Sequence, residues 1–134
     1  VHELRSLTEA QALQIVQQVV RESGRTPNAA FDVSIGEATP MQVDVRIDDT
    51  RFAIEWVSAQ DRERLGDALP DPVPGQLRIL PGAGDDAQIE ILLLDESTYR
   101  YDPDRERNHA GSRGLSEVEG RLRGDVRDFL AYCQ

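Results

Sequence analysis

Residues 42–58, QVDVRIDDTRFAIEWVS, constrain what this chain can fold into more than any other stretch. Val43, Val45 and Ile47 alternate with Asp44, Arg46 and Asp48; beyond a short polar turn, Phe52, Ile54 and Trp56 alternate with Arg51, Ala53 and Glu55. Successive side chains of a strand point to opposite faces, so each arm has one apolar face. A two-residue turn at Asp49-Thr50 sets Ile47 against Phe52, Val45 against Ile54 and Val43 against Trp56, all on one side. A slip of one residue would scatter them, so the pattern fixes the register of a β-hairpin with Trp56 turned inward. On the polar side the same register puts Asp48 beside Arg51, an expected ion pair, and Asp44 opposite Glu55. Like charges directly across a ladder repel. That pair therefore calls for something to offset it: Arg46 nearby, solvent, a partner's arginine or a divalent cation.

The rest of the chain can be arranged to cover one face of this hairpin. Ser6 with Glu9 reads as a capping box for a helix over 6–23, with Ala12, Leu13, Ile15, Val16, Val19 and Val20 at helical spacing and Gly24 as its stop. Phe31, Val33 and Ile35 alternate in a first strand. Ser58 and Asp61 cap a short helix carrying Leu65 and Leu69, and Pro70, Pro72 and Pro74 make an extended connector. Residues 76–80 form a short strand. Residues 89–94, IEILLL, are apolar on both faces and predict the best-buried strand. Ser116 with Glu119 predicts a capping box for a final helix whose stripe is Val118, Leu122, Val126, Phe129 and Cys133. Gly120 and Gly124 weaken that helix unless a strand packs closely against them. The order is α-β-β-β-α-β-β-α: a single α+β domain over residues 1–134, with an approximately five-stranded, mostly antiparallel sheet and the terminal helices on one face. The opposite face, with Asp44, Arg46 and Glu55, is expected to stay open.

Charge narrows the function. Twenty-five acids against fifteen bases give a net charge of −10, which argues against nucleic acid or an anionic membrane as partner and suits a basic protein. Every basic residue is arginine, so lysine Schiff-base chemistry and a P-loop lysine are excluded; a GC-rich bacterial genome produces such a bias. One cysteine, Cys133, cannot form an internal disulfide. The chain holds no apolar run long enough to span a bilayer and no signal-peptide pattern, and it begins at Val1 rather than methionine. A cytoplasmic location is expected.

Few motifs carry chemistry. Asp44 and Glu55 on adjacent strands, with Glu37 upstream, are oxygen ligands of the kind that hold Mg²⁺ or Mn²⁺. Asp44 followed by Glu55-Trp56-Val57 resembles the core of the PD-(D/E)xK nucleases, an acid on one hairpin strand and E-x-K on the next, over about fifteen residues. Val57 stands where that family has its lysine, and the acidity of the chain opposes DNA as substrate. Asp102, Asp104, Glu106 and Asn108 alternate as in a calcium loop, but Arg107 replaces the glycine and Arg113 the bidentate glutamate. The Gly-Ala-Gly at 82–84 lacks a third glycine and a following helix, so it is no phosphate loop. Tyr99-Arg100-Tyr101 has the composition of an interface hot spot.

The leading expectation is a small, non-enzymatic protein-binding module of the inhibitor, immunity or adaptor type. It would engage a basic partner through the exposed sheet face and the 95–110 loop, using Asp44, Arg46, Glu55, Tyr99, Arg100, Tyr101, Asp102 and Asp104, with no cofactor or resident metal. The alternatives are a divalent-metal-dependent hydrolase using Asp44 and Glu55, and a structural domain of a larger assembly.

Overall fold

A computed structural model of the chain describes residues 4–29, 31–36, 39–73, 75–103 and 114–133. A two-residue strand, β1 (Arg5–Ser6), precedes helix α1 (Glu9–Glu22). The cap lies two residues beyond the expected Ser6. Thr8 Oγ1 accepts the Gln11 N–H at 3.1 Å and Gln11 Oε1 accepts the Thr8 N–H at 3.0 Å, the same reciprocal device with glutamine in place of glutamate. Leu7, just before the cap, and Ala12, in the next turn, are both buried. That staple fixes where the helix begins. Gly24 (φ 79°) leads the chain out.

The hairpin forms in the expected register but only in part. Strands β2 (Pro27–Asn28), β3 (Phe31–Ile35), β4 (Thr39–Val43), β5 (Val45–Ile47) and β6 (Phe52–Val57) follow in order. Val45 pairs with Ile54 and Arg46 with Ala53, and Trp56 is fully buried. Yet the first arm bends at Asp44. Val43 pairs with Phe31 in a separate β3–β4 ribbon instead of facing Trp56 across a ladder. The turn also differs. Asp48 takes φ 52°, the left-handed conformation that aspartate tolerates better than most residues, and the Thr50 N–H closes onto the Ile47 carbonyl at 3.2 Å. Asp48 does not pair with Arg51. Its carboxylate accepts from Arg25 Nε at 2.5 Å and from the Thr26 N–H at 2.7 Å, which pins β2 to the turn, while Arg51 reaches Glu90 at 3.3 Å.

Helix α2 (Ala59–Leu65), strands β7 (Arg78–Pro81), β8 (Glu90–Asp95) and β9 (Arg100–Tyr101), and helix α3 (Leu115–Tyr132) complete the chain. The main sheet has the order β2-β5-β6-β8-β7. Only the central β6–β8 pair is parallel; the rest of the sheet is antiparallel, as expected. The Ser58–Asp61 capping box of α2 is as expected, with Ser58 Oγ accepting the Asp61 N–H at 3.1 Å. The Ser116–Glu119 box is not formed: Gly114 is the N-cap of α3 and Ser116 already lies in its first turn.

Helices α1 and α3 cover one face of the sheet. Their buried stripes, including Val16, Val20, Leu122, Val126 and Phe129, pack on Val45, Ile54, Trp56, Leu92 and Leu94. Each such side chain contributes about 1.5–3 kcal/mol through burial. The indole N–H of Trp56 has no hydrogen-bond partner among the described residues, a cost of about 1–3 kcal/mol set against the large area that the ring buries.

The expected open face is a correction. The β3–β4 ribbon and α2 lie over it, and Val33, Ile35, Met41, Val43, Leu65 and Leu69 pack with Ala53, Val57, Ile91 and Leu93 in a second core. The physical reason is composition. Of the β6 side chains on that face only Glu55 is polar, and Ile91 and Leu93 extend the same apolar strip, so the strip needs cover. Glu55 is therefore buried, at 3% exposure.

The two glycines of α3 have open space where a Cβ would stand, so no close strand requires them. Replacing both by alanine is expected to raise stability by about 1–2 kcal/mol, read as a higher urea midpoint with unchanged slope.

Candidate functional site

The carboxyl-terminal ends of the parallel strands β6 and β8 gather acids from five separate elements. Glu9 stands in the first turn of α1, Asp44 at the bend between β4 and β5, Glu55 inside β6, Asp61 in the first turn of α2, and Glu96 in the 3-10 turn after β8. Each has a local reason to be there. Glu9 and Asp61 lie at helix N-termini, where the exposed N–H groups and the helix dipole favour negative charge. Glu96 Oε2 accepts the Ala59 N–H at 3.2 Å and so adds to the cap of α2. Asp44 Oδ2 accepts the Trp56 N–H at 2.8 Å, doing for β6 what a backbone carbonyl of β4 would have done had the ladder continued.

The expected juxtaposition of Asp44 and Glu55 is present, but it is interior rather than solvated. Burial is the largest influence on Glu55 and favours its neutral form; the hydrogen bond to Asp44 and the charges of Asp44, Asp61 and Glu9 act the same way, and its pKa is pushed up to about 11. At neutral pH Glu55 is therefore a carboxylic acid that donates to the Asp44 carboxylate. A proton on Glu55 relieves the like-charge clash that the sequence implied. Glu9 is raised as well, first by partial burial and then by Asp44, Asp61 and Glu96.

Beside this cluster the strand ends carry an ion pair. Arg62 of α2 meets Asp95 with Nη2–Oδ2 at 2.6 Å and Nε–Oδ2 at 2.8 Å. The other oxygen of Asp95 accepts from Ser97 N at 2.9 Å and Ser97 Oγ at 2.6 Å. Exposed Arg100 lines the same shallow groove together with Ser58, Glu63 and Glu96.

The remaining expected residues are scattered. Arg46 is the middle residue of β5, its Nε donating to the Thr50 carbonyl at 2.8 Å and its guanidinium over the Phe31 ring. Tyr99 is a core residue, packed on Trp56 with ring centroids 5.5 Å apart and donating its hydroxyl to Asp125. Tyr101 is half-buried in the β1–β9 ribbon, and Asp102 is buried. Glu37, Asp104 and the rest of the 95–110 loop beyond position 103 lie outside the described residues. Cys133 is half-buried, and burial holds its thiol up at about 11, the opposite of an activated nucleophile. Among the described residues no three histidine, cysteine, aspartate or glutamate side chains are placed to hold a metal ion. Sequence reasoning missed Glu9, Asp61 and Glu96 as members of one cluster; their first-turn and capping positions were the available signal. No family model, curated protein or solved structure matches this chain.

The proton on Glu55 makes stability depend on pH. The folded chain retains a proton that the unfolded chain releases above the ordinary value of 4.5. The contribution is full below that pH and is lost as pH rises toward 11, at about 1.4 kcal/mol per pH unit. Glu55→Gln keeps a donor toward Asp44 without the titration. It is expected to be more stable than the parent by about 2–3 kcal/mol at pH 7, with a flatter profile from pH 5 to about 9, in urea unfolding across that range; equal stability at pH 8 would show that Glu55 is ionised in the native chain.

Proposed function

We propose that this chain is a protein-binding module that presents the acidic end of its sheet to a basic partner. The observation that supports the reading is that, among the described residues, the charges gathered around Glu9 are the carboxylates of Asp44, Asp61 and Glu96. Among the described residues the ion pair that Asp61 makes is a 3.6 Å approach from the largely exposed Arg64. Negative charge is concentrated there beyond what the described residues neutralise, and arginine or lysine side chains of a partner would relieve the repulsion on contact. The contact surface in this reading is Glu9, Asp61, Glu63 and Glu96, with Arg100 and Tyr101 at its rim. Asp44 and Glu55 lie beneath and do not touch the partner. This replaces the open sheet face of the sequence reading with the strand ends. The hydrolase alternative draws on the same two residues, Asp44 and Glu55. A cytoplasmic setting belongs to the proposal; among the described residues no helix is long and apolar enough to cross a membrane.

Neutralising the cluster separates a local site from mere net charge. Binding of a nona-arginine peptide, followed by calorimetry from 50 to 300 mM salt, is expected to weaken about tenfold in Glu9→Gln/Asp61→Asn/Glu96→Gln and to lose much of its salt dependence. A control triple change at exposed acids elsewhere, Glu22→Gln/Asp67→Asn/Asp85→Asn, is expected to alter it far less. Equal losses in the two variants would refute a localised site.

A further inference from the structure

The central strands β6 and β8 are parallel neighbours, and the chain leaves them towards opposite faces of the sheet. After Val57 it enters α2, whose Leu65 packs in the core beneath the β3–β4 ribbon. After Asp95 it turns through Glu96–Thr98 and reaches Tyr99, which packs in the core beneath α1 and α3. Where adjacent parallel strands send their connections to opposite faces, a crevice opens beyond their carboxyl ends, the general position of ligands on open α/β sheets. The groove between α2 and the turn after β8 lies at that point. It measures about 360 Å³, at the lower end of the range for small-ligand sites. Ala59 and Glu63 line it from α2, and Glu96 and Arg100 from the far side. Ala59, Glu63 and Arg100 are exposed and Glu96 is half-buried, so its walls are accessible.

The deepest charges of the groove are already matched, since buried Asp95 meets two nitrogens of the Arg62 guanidinium. The charges presented to an occupant are Glu63 on one wall and Glu96 on the other, against Arg100. Glu9, in the first turn of α1, is close enough to Asp61 and Glu96 to feel both charges, so the local balance is negative. An occupant that meets a carboxylate on each of two walls has to offer donors in more than one direction. A guanidinium carries five N–H donors in a planar fork, whereas an ammonium is a compact and strongly hydrated point charge. A carboxylate accepts at about four lone-pair sites, so Glu96, which takes the Ala59 N–H on Oε2 at 3.2 Å, has capacity for a further donor. Arg100 repels a second cation, so the groove suits one side chain rather than several.

We propose that this groove seats one arginine side chain of the basic partner, its guanidinium between Glu63 and Glu96. The proposal rests on the partner-binding reading and adds to it a preference for arginine over lysine at a single position.

Nona-lysine and the same peptide with its central residue changed to arginine carry equal charge, so they separate this contact from electrostatic attraction alone. In calorimetry at low salt the arginine-bearing peptide is expected to bind about fivefold more tightly, the upper end for one exposed ion pair. Glu63→Gln removes the carboxylate of one wall, and Ala59→Leu fills the groove without altering charge. Each is expected to abolish the preference, while Glu22→Gln, at an exposed acid at the far end of α1, is expected to keep it. Equal affinity of the two peptides for the parent chain would overturn the arginine seat and leave the acidic surface standing, as would a preference that survives both Glu63→Gln and Ala59→Leu. Failure of both peptides to bind would overturn the partner reading and the seat with it.

Discussion

The central parallel pairing of β6 with β8 is the constraint on which the rest of the structure depends. Phe52 runs beside Glu90 and Val57 beside Asp95 in unbroken register. All of Phe52–Val57 is buried, as is most of Glu90–Asp95. A strand buried on both faces has to be covered on both. Helices α1 and α3 supply one layer and the β3–β4 ribbon with α2 the other. Two parallel neighbours also require a crossover rather than a tight turn, and here that crossover contains α2, the proline-containing connector and β7. The connector thereby becomes a wall of a crevice beside β8.

Placing a glutamate within a doubly covered strand has a chemical consequence. An ionised carboxylate at Glu55 would have to lose its water beside the carboxylates of Asp44, Asp61 and Glu9, a large cost. The chain meets it by leaving a proton on Glu55, whose neighbour Asp44 is half-buried and accepts the Trp56 N–H. Asp44 thus acts twice: it ends the β5–β6 ladder and accepts the proton-carrying neighbour. The acids around it are held by helix N-termini, whose dipoles offset part of their mutual repulsion.

The molecule is consequently polarised over a short distance. One end of the central strands concentrates carboxylates, while on the flank of β8 the Arg121 guanidinium lies over the Tyr99 ring. An all-arginine basic complement favours this arrangement, because a guanidinium can stack on Tyr99 or Phe31 and still donate in its plane.

The amino-acid sequence by itself determined the elements whose signals are local. Period-two alternation set the β5–β6 register and turned Trp56 inward; helical spacing gave α1 and α3; and the run at 89–94 announced a strand needing cover on both faces. It also brought Asp44 and Glu55 together, since a register fixes neighbours across a ladder. Tertiary structure alone decided that β4 leaves the hairpin at Asp44, that Asp48 is held by Arg25 rather than Arg51, and that β8 lies parallel to β6. It also closed the face expected to be open, making Glu55 an acid that keeps its proton. Those outcomes depend on which distant segments compete to cover a surface, and no local periodicity encodes that competition.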